Sequence, residues 1–253
     1  MAGRLTPSTF VILYTARMQI FAHLGRFVTA EVRRSYAWTC ERLYHELAWS
    51  YDWVSWIVSA GAWATWRQVV LRAIVDDETP LAAPLLEIGF GTGALLHAAA
   101  QAELPIVGLE LSPTMHAVAN ARLIGKELAP PRVQATALVM PFQAASFGAV
   151  LATFPAGYIL APATLRECAR VLTEDGRLII AGLWVAPVVA GRRLQLPPLY
   201  GAPTRTQVDA ITGRIATAGF RVTTQMHYAG GAEIAVIVAH KQPNMKGATL
   251  CGF

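Results

Sequence analysis

Charged residues are scarce in this chain of 253 residues: only 15% are Asp, Glu, Lys or Arg, while 54% are hydrophobic. The mean hydropathy of +0.40 is high for a water-soluble protein. Such a composition excludes intrinsic disorder over most of the length. It predicts a large core, with apolar surface left over for a partner, a lipid layer or a hydrophobic pocket.

Cysteine is also scarce, and the three thiols are scattered at Cys40, Cys168 and Cys251. They form no Cys-x-x-Cys pair and no spacing typical of metal ligands, so neither a disulfide framework nor a metal site is expected. The pattern favours a reducing compartment, and we expect a cytoplasmic protein.

Long apolar runs are absent as well. Arg17, His23 and Arg26 interrupt residues 10–30, and the uncharged stretch 53–66 falls short of the roughly 20 residues of a membrane-spanning helix. The first 40 residues nevertheless hold five arginines and one acid. That bias is typical of an interfacial helix and also of a transit peptide. The sequence thus predicts peripheral membrane contact through residues 1–35.

Dense basic runs are missing too, although the net charge is +5. Because no zinc finger or aromatic RNA-binding signature accompanies the basic residues, nucleic acid is not an expected partner. An anionic membrane surface or a cofactor carboxylate is a better match for this charge.

The sequence pattern changes once along the chain, near residue 80. Residues 1–80, rich in Trp and Arg, predict an N-terminal helical cap. Short apolar runs then alternate with helical stretches over 81–241, which is typical of βαβ units and a parallel sheet, and 242–253 form a tail. Strands are predicted at 85–88, 106–110, 132–135, 149–153, 178–182, 220–228 and 233–239, and helices at 92–102, 113–128, 162–172 and 205–218.

The end of the predicted sheet differs from its beginning. Only residues 229–232, which include Gly230-Gly231, separate the last two strands, so these two form an antiparallel hairpin. The proline-rich stretch 186–205 predicts a long loop over the top of the sheet.

The most informative segment is a glycine-rich turn, Glu87-Ile88-Gly89-Phe90-Gly91-Thr92-Gly93, between a predicted strand and a predicted helix. Glycines allow a sharp bend and a close approach of ligand to backbone, and the free N–H groups of the helix start face that ligand. A dinucleotide cofactor can use such a turn. Glu87 favours another cofactor, because a carboxylate repels pyrophosphate and suits a ligand with ammonium and sulfonium groups.

A second acid, Glu110, ends the next predicted strand, 17 residues after Gly93. At that position a carboxylate can accept hydrogen bonds from both hydroxyls of an adenosine ribose.

Four further stretches follow in order along the chain. The first is Glu110-Leu111-Ser112-Pro113-Thr114-Met115, and the second is Met140-Pro141-Phe142 followed by Ser146-Phe147. The third runs from Glu167 through Arg170 to Gly176, and the fourth is Ala218-Gly219-Phe220. Together they resemble the class I S-adenosylmethionine-dependent methyltransferases, most closely their ubiquinone/menaquinone-biosynthesis group. The resemblance implies an α/β fold with a Rossmann-like, seven-stranded, mostly parallel sheet, an antiparallel C-terminal hairpin and a helical cap.

The resemblance also implies S-adenosyl-L-methionine as the cofactor. The residues that match the family's cofactor site are Glu87, Gly89, Phe90, Gly91, Gly93, Glu110, Leu111, Ser112, Met115, Thr136, Ala137 and Thr153. Two positions depart from the pattern: Thr136 stands where the family often has an adenine-binding Asp, and Gly148 stands where Asp is usual. Both departures predict weaker cofactor binding or a relative without catalytic activity.

No fixed catalytic triad is expected, because methyl transfer mainly needs alignment of the reactants and exclusion of water. His45, in the cap, is the best candidate for a base. The cap segment 44–52 resembles the family's lid, which makes Tyr44, Tyr51 and Trp53 candidates for the lid or the acceptor pocket.

Helical spacing also aligns seven apolar residues into one stripe. The stripe consists of Trp49, Trp53, Trp56, Ala60, Trp63, Val70 and Ile74. It predicts mainly core packing, and a part of it can line a pocket for an apolar acceptor such as a quinone precursor or a lipid-like molecule. Two alternatives stay open here: an NAD(P)-dependent oxidoreductase, and a non-catalytic binding protein on a methyltransferase fold.

Overall fold

The structure is a computed structural model that describes residues 55, 59, 61–75, 81, 83–123, 129–195 and 201–242. The predicted cap before residue 55 and the predicted hinge at 76–80 lie outside the described residues. The helices are α1 (Trp63–Val75), α2 (Ala94–Gln101), α3 (Pro113–Leu123), α4 (Pro162–Val171), α5 (Arg205–Ala216) and a 3-10 helix at Gly157–Leu160. The strands are β1 (Leu85–Ile88), β2 (Ile106–Glu110), β3 (Arg132–Gln134), β4 (Phe147–Thr153), β5 (Leu172–Val189), β6 (Arg192–Arg193), β7 (Phe220–Ala229) and β8 (Ala232–Lys241).

One mixed sheet organises these elements, with the strand order β3-β2-β1-β4-β5-β8-β7. The first five strands of that order are parallel, while β8 is antiparallel to both β5 and β7. The predicted parallel sheet with a C-terminal antiparallel hairpin is therefore confirmed. The short β6, which pairs only with β5, was not predicted.

Apolar side chains alternate between the two faces of the central strands, as the two-residue period of a strand requires. Leu85, Leu151 and Ile179 belong to a core that includes α1 and α2. Their neighbours Leu86, Val150 and Ile180 belong to a second core on the other face, with α4 and α5. Burial on both faces explains why these strands read as continuous apolar runs.

Helix α1 contributes its apolar face to the first core. Trp66, Val69, Val70, Ala73 and Ile74 are buried at the spacing of one helical face. Within the predicted stripe, Val70 and Ile74 thus have the core role, whereas Trp63 is only half-buried at its edge. Trp49, Trp53, Trp56 and Ala60 lie outside the described residues.

The prediction of a long loop over 186–205 is wrong for its first part. β5 continues to Val189, and a tight turn at Ala190 and Gly191, with φ values of 49° and 74°, leads back into β6. Pro187 is tolerated because its carbonyl is the group that bonds, accepting from the Leu194 N–H at 2.7 Å.

Within the described residues, no helix is long and apolar enough to cross a membrane.

Candidate cofactor-binding site

The glycine-rich turn lies at the carboxyl end of β1 and leads directly into α2. Gly89, Gly91 and Gly93 have φ values of 70°, 53° and 72°, a region that side-chain-bearing residues avoid. The Gly89 N–H donates to the Leu109 carbonyl at 2.7 Å, and the Gly93 N–H donates to the Phe90 carbonyl at 2.9 Å. The turn therefore has the sharp left-handed bends that its glycines predict.

Glu110 ties this turn to the end of β2. The N–H groups of Gly91, Leu111 and Ser112 donate to its buried carboxylate, at N···O distances of 3.1, 2.8 and 2.9 Å. A carboxylate has about four lone-pair sites, and among the described residues Oε2 accepts from Gly91 alone, so this oxygen can accept one more donor.

The segment after Glu110 begins α3. Ser112 Oγ accepts from the Met115 N–H at 3.3 Å, and Pro113 occupies the first helical position, an arrangement favoured at helix starts. Met115 is fully buried, while Leu111 is 62% exposed beside the turn. Among these predicted cofactor residues, Leu111 offers the most accessible apolar surface.

Glu87 is a fully buried carboxyl group within β1. Its pKa is raised to about 8, mainly by burial and also by nearby Glu110, although nearby Arg67 acts to lower it. The Leu96 N–H at the start of α2 and the Thr153 side chain donate to the carboxyl group. Its Oε2 is buried without a hydrogen-bond partner in the structure as described.

Residues of α1, β1, the glycine turn and the end of β4 enclose a small pocket. It is lined by Trp63, Arg67, Glu87, Gly89, Phe90, Gly91, Thr92, Thr153 and Phe154. The structure thus brings together the predicted residues Glu87, Gly89, Phe90, Gly91 and Thr153. Arg67, Thr92 and Phe154 were missed. Arg67 stands one helical turn after Trp63, a spacing that could have indicated a shared face.

Two aromatic residues after β4 approach this pocket. The Phe154 ring packs on Gly182 and lies 4.2 Å from the Trp63 ring, centroid to centroid. Phe154 has a φ of 48°, an uncommon conformation that often occurs at functional sites. The Tyr158 hydroxyl lies against Gly89, where any Cβ would collide with it. Nothing in the sequence pattern distinguished Tyr158.

The predicted adenine-side residues Thr136 and Ala137 lie just after β3. Thr136 is half-buried, and its Oγ1 accepts from the Leu138 N–H at 3.2 Å. Ala137 is buried, whereas Leu138 and Val139 are exposed apolar residues. The Thr136 hydroxyl thus supports its own loop.

Gly148, the other departure from the family pattern, has a packing explanation. A Cβ at this position would lie 2.7 Å from the Ala83 carbonyl oxygen and 3.2 Å from the Ala83 nitrogen. It lies near the start of β4, five residues before Thr153, or about 16 Å away at a strand rise of about 3.3 Å per residue. Gly148 is therefore remote from the pocket.

The remaining predicted site residues, Tyr44, His45, Tyr51 and Trp53, lie outside the described residues. In the part of the chain that the structure describes, no cluster of His, Cys, Asp or Glu could hold a metal ion.

The donor and acceptor groups of the pocket discriminate between the two cofactors raised by the sequence. Glu87 Oε2 is buried without a partner in the described residues, and it lies beside the turn. A pyrophosphate carries negative charge, which would oppose ionisation of Glu87 still further. An adenosyl amino acid fits better, because its ammonium group would stabilise the ionised form of Glu87 and donate to it, while its ribose hydroxyls can donate to Glu110.

Comparisons with known proteins agree with this choice. Residues 86–180 match the methyltransferase domain family. The chain is 31% identical over 153 residues to a demethylmenaquinone methyltransferase of Clavibacter sepedonicus, covering 60% of each protein. It is 32% identical over 145 residues to a demethylmenaquinone methyltransferase of Thermotoga maritima, covering 56% of this chain and 60% of that protein. The chain thus spans less than two thirds of the length of these relatives.

A solved structure shows the same fold. A glycopeptide N-methyltransferase complexed with S-adenosylhomocysteine aligns with a TM-score of 0.51 at 18% identity, over 67% of this chain and 87% of that one. The sheet is thus the Rossmann-like sheet that the sequence predicts. Residues 86–180 match the methyltransferase domain family, and the chain is similar to S-adenosylmethionine-dependent methyltransferases over this part.

Proposed function

We propose that this protein transfers a methyl group from S-adenosyl-L-methionine to a small, hydrophobic acceptor. The observation that carries the proposal is the pair of buried acidic residues beside the glycine turn: within the described residues Glu87 Oε2 has no hydrogen-bond partner and Glu110 has a spare acceptor site. Bound at this turn, the cofactor would supply a methyl group activated by sulfonium.

The residues of the chain bind and align, and no protein nucleophile is needed. Glu87 binds the ammonium group, and Glu110 binds the ribose. The exposed apolar side chains Leu111, Leu138 and Val139 cover the adenine, whose edge bonds to the backbone of Thr136 and Ala137. The pocket wall formed by Trp63 and Phe154 excludes water from the transferring methyl group.

A hydrophobic acceptor is supported by the aromatic character of that wall and by the relatives named as demethylmenaquinone methyltransferases. Flat rings such as Trp63 and Phe154 favour stacking with a planar apolar molecule. An acceptor dissolved in a lipid layer is best reached from its surface, so the proposal includes membrane contact through residues 1–35.

Calorimetric titration with S-adenosylhomocysteine and with NAD(P) tests the cofactor. We expect binding of the first and no heat with the second. Transfer of labelled methyl groups, measured with an apolar quinol and with a polar amine as acceptors, then tests the reaction. Binding without transfer to either acceptor would instead favour a non-catalytic binding protein, and absence of binding would overturn the proposal.

A further inference from the structure

We propose that helix α1 completes an amino-acid site: Trp63 and Arg67 bind the carboxylate of a zwitterionic α-amino acid group whose ammonium is bound by Glu87. The inference rests on the proposed cofactor, since its methionine portion is such a group. It adds two residues, from a helix outside the matched segment 86–180, to the site.

Two buried polar atoms of opposite type carry the argument. Trp63 Nε1 is a donor, and Glu87 Oε2 is an acceptor in the ionised form that a neighbouring ammonium group stabilises; each lacks a hydrogen-bond partner within the described chain. Both residues line the same pocket. Buried polar groups without partners are rare in folded proteins, because leaving one unsatisfied costs about 1–3 kcal/mol. A ligand that satisfies both atoms must therefore have both a donor and an acceptor.

Arg67 adds the charge that such an acceptor requires. It lines the pocket one helical turn after Trp63, and it lies close enough to Glu87 to influence the pKa of that carboxyl group. A guanidinium has five N–H donors in a planar fork, which suits it to more than one partner and to a carboxylate. The lining of the pocket thus includes both an acidic and a cationic side chain.

A ligand with only one kind of charged group bonds either to Glu87 or to the donors of Trp63 and Arg67, and not to both. An inorganic anion bonds to Trp63 and Arg67 but leaves Glu87 Oε2 unpaired, and an amine does the reverse. An α-amino acid group has an ammonium and a carboxylate on one carbon atom. It can therefore bond to Glu87 and to the donors of Trp63 and Arg67 at the same time. The other polar residues that line the pocket, Thr92 and Thr153, are neutral and add no competing charge.

Three ligands that share the adenosine portion test the proposal by calorimetry. S-adenosylhomocysteine has the whole amino acid group, its decarboxylated analogue has only the amine, and 5′-methylthioadenosine has neither. Each is titrated into the wild-type chain, Arg67→Gln and Trp63→Phe. Arg72→Gln is the matched control, because Arg72 is an exposed arginine of the same helix.

We expect Arg67→Gln to weaken binding of S-adenosylhomocysteine at least tenfold and Trp63→Phe to weaken it about threefold or more, as loss of a charge-assisted and a neutral hydrogen bond would. Binding of the other two ligands should change less than twofold, and Arg72→Gln should change nothing. Equal losses for all three ligands, or no loss, would overturn the inference while leaving the cofactor intact. A wild-type chain that bound none of them would overturn the proposed function itself. Should Arg67→Gln not fold, Arg67→Met, which also removes the charge and the donors, replaces it with the same expected loss.

Discussion

At the scale of single residues, Glu87 is an acidic side chain that is buried within the sheet. Its pKa lies near 8 because burial disfavours the charged form. In the unfolded chain the same group titrates near 4.5. Between these two values folding therefore requires proton uptake, and the stability associated with the neutral carboxyl is complete below about pH 4.5 and is lost as the pH rises through 8.

Glu87→Gln tests this linkage, because glutamine has nearly the same shape and never ionises. We expect the free energy of unfolding of the variant to rise relative to wild type as pH increases from 5 to 8, by at most about 1.4 kcal/mol per pH unit. Urea unfolding at several pH values measures the difference. Glu174→Gln, at an exposed glutamate of β5, should run parallel to wild type. Parallel curves for Glu87→Gln as well would contradict the raised pKa.

Gly148 carries a prediction about stability rather than binding. In Gly148→Ala the new methyl group meets the Ala83 backbone, which cannot move aside as a flexible side chain can. We expect a loss of about 1–3 kcal/mol in the free energy of unfolding, with an unchanged Kd for S-adenosylhomocysteine.

Gly213→Ala is the matched control for that substitution. Gly213 lies inside α5, and an added Cβ there meets no atom of the described residues within 4 Å. Alanine is favoured over glycine in a helix interior, so this variant should gain up to about 1 kcal/mol. A drop in ligand affinity for Gly148→Ala would instead restore a role for this position in the cofactor site.

At the scale of elements, α4 holds the adenine-side loop through Arg170 and Glu167. The Arg170 guanidinium donates to the Phe142 and Met140 carbonyls at 2.7 and 3.0 Å and to both Glu167 oxygens at 2.7 Å. The Met140 N–H in turn donates to Glu167 Oε2 at 2.7 Å. Met140 and Phe142 belong to the second stretch noted in the sequence, and Glu167 and Arg170 belong to the third. The two stretches thus bond to one another, which explains why the third has an acid and an arginine at these positions.

Arg170→Gln should therefore loosen the loop that follows Thr136 and Ala137. We expect at least tenfold faster hydrogen exchange at the Met140 amide and weaker binding of S-adenosylhomocysteine, with the sheet intact. Exchange followed by mass spectrometry or NMR measures the first effect. Arg166→Gln, one turn earlier and exposed, should change neither. Unchanged exchange in Arg170→Gln would show that other contacts hold the loop.

The sequence predicted elements well where local pattern and packing agree. β1 and β2 have the predicted bounds because buried parallel strands are continuous apolar runs. The extension of β5 was missed because Pro187 lacks an N–H and therefore argues against a strand. Only the pairing of β5 with β8 showed that the sheet does not need this N–H. In the site, the glycine turn was predictable from local chemistry. The positions of Arg67 and Tyr158 were not, because they depend on packing between distant segments.

At the scale of the whole molecule, the distribution of charge decides whether the protein meets a membrane. The net charge of +5 includes four arginines between residues 17 and 34, among apolar neighbours. Basic residues near an anionic lipid surface each contribute about 1 kcal/mol, and apolar side chains add to this when they enter the interface. Positive charge near the N-terminus should therefore contribute more to membrane binding than the same charge elsewhere in the chain.

Two variants with equal net charge separate these cases. In the first, four N-terminal arginines become glutamine: Arg17, Arg26, Arg33 and Arg34. In the second, four exposed arginines of the α/β part become glutamine: Arg166, Arg205, Arg214 and Arg221. Co-sedimentation with phosphatidylcholine vesicles, with and without phosphatidylserine, measures binding of both variants and of wild type.

We expect wild type to bind the anionic vesicles and to be released by salt, because surface electrostatics is screened at high ionic strength. The N-terminal variant should bind at least tenfold more weakly, whereas the second variant should stay within about threefold of wild type. Equal losses in the two variants would mean that net charge alone attracts the protein to lipid. Absence of binding by wild type would remove the membrane from the proposal and leave the hydrophobic acceptor to be reached from solution.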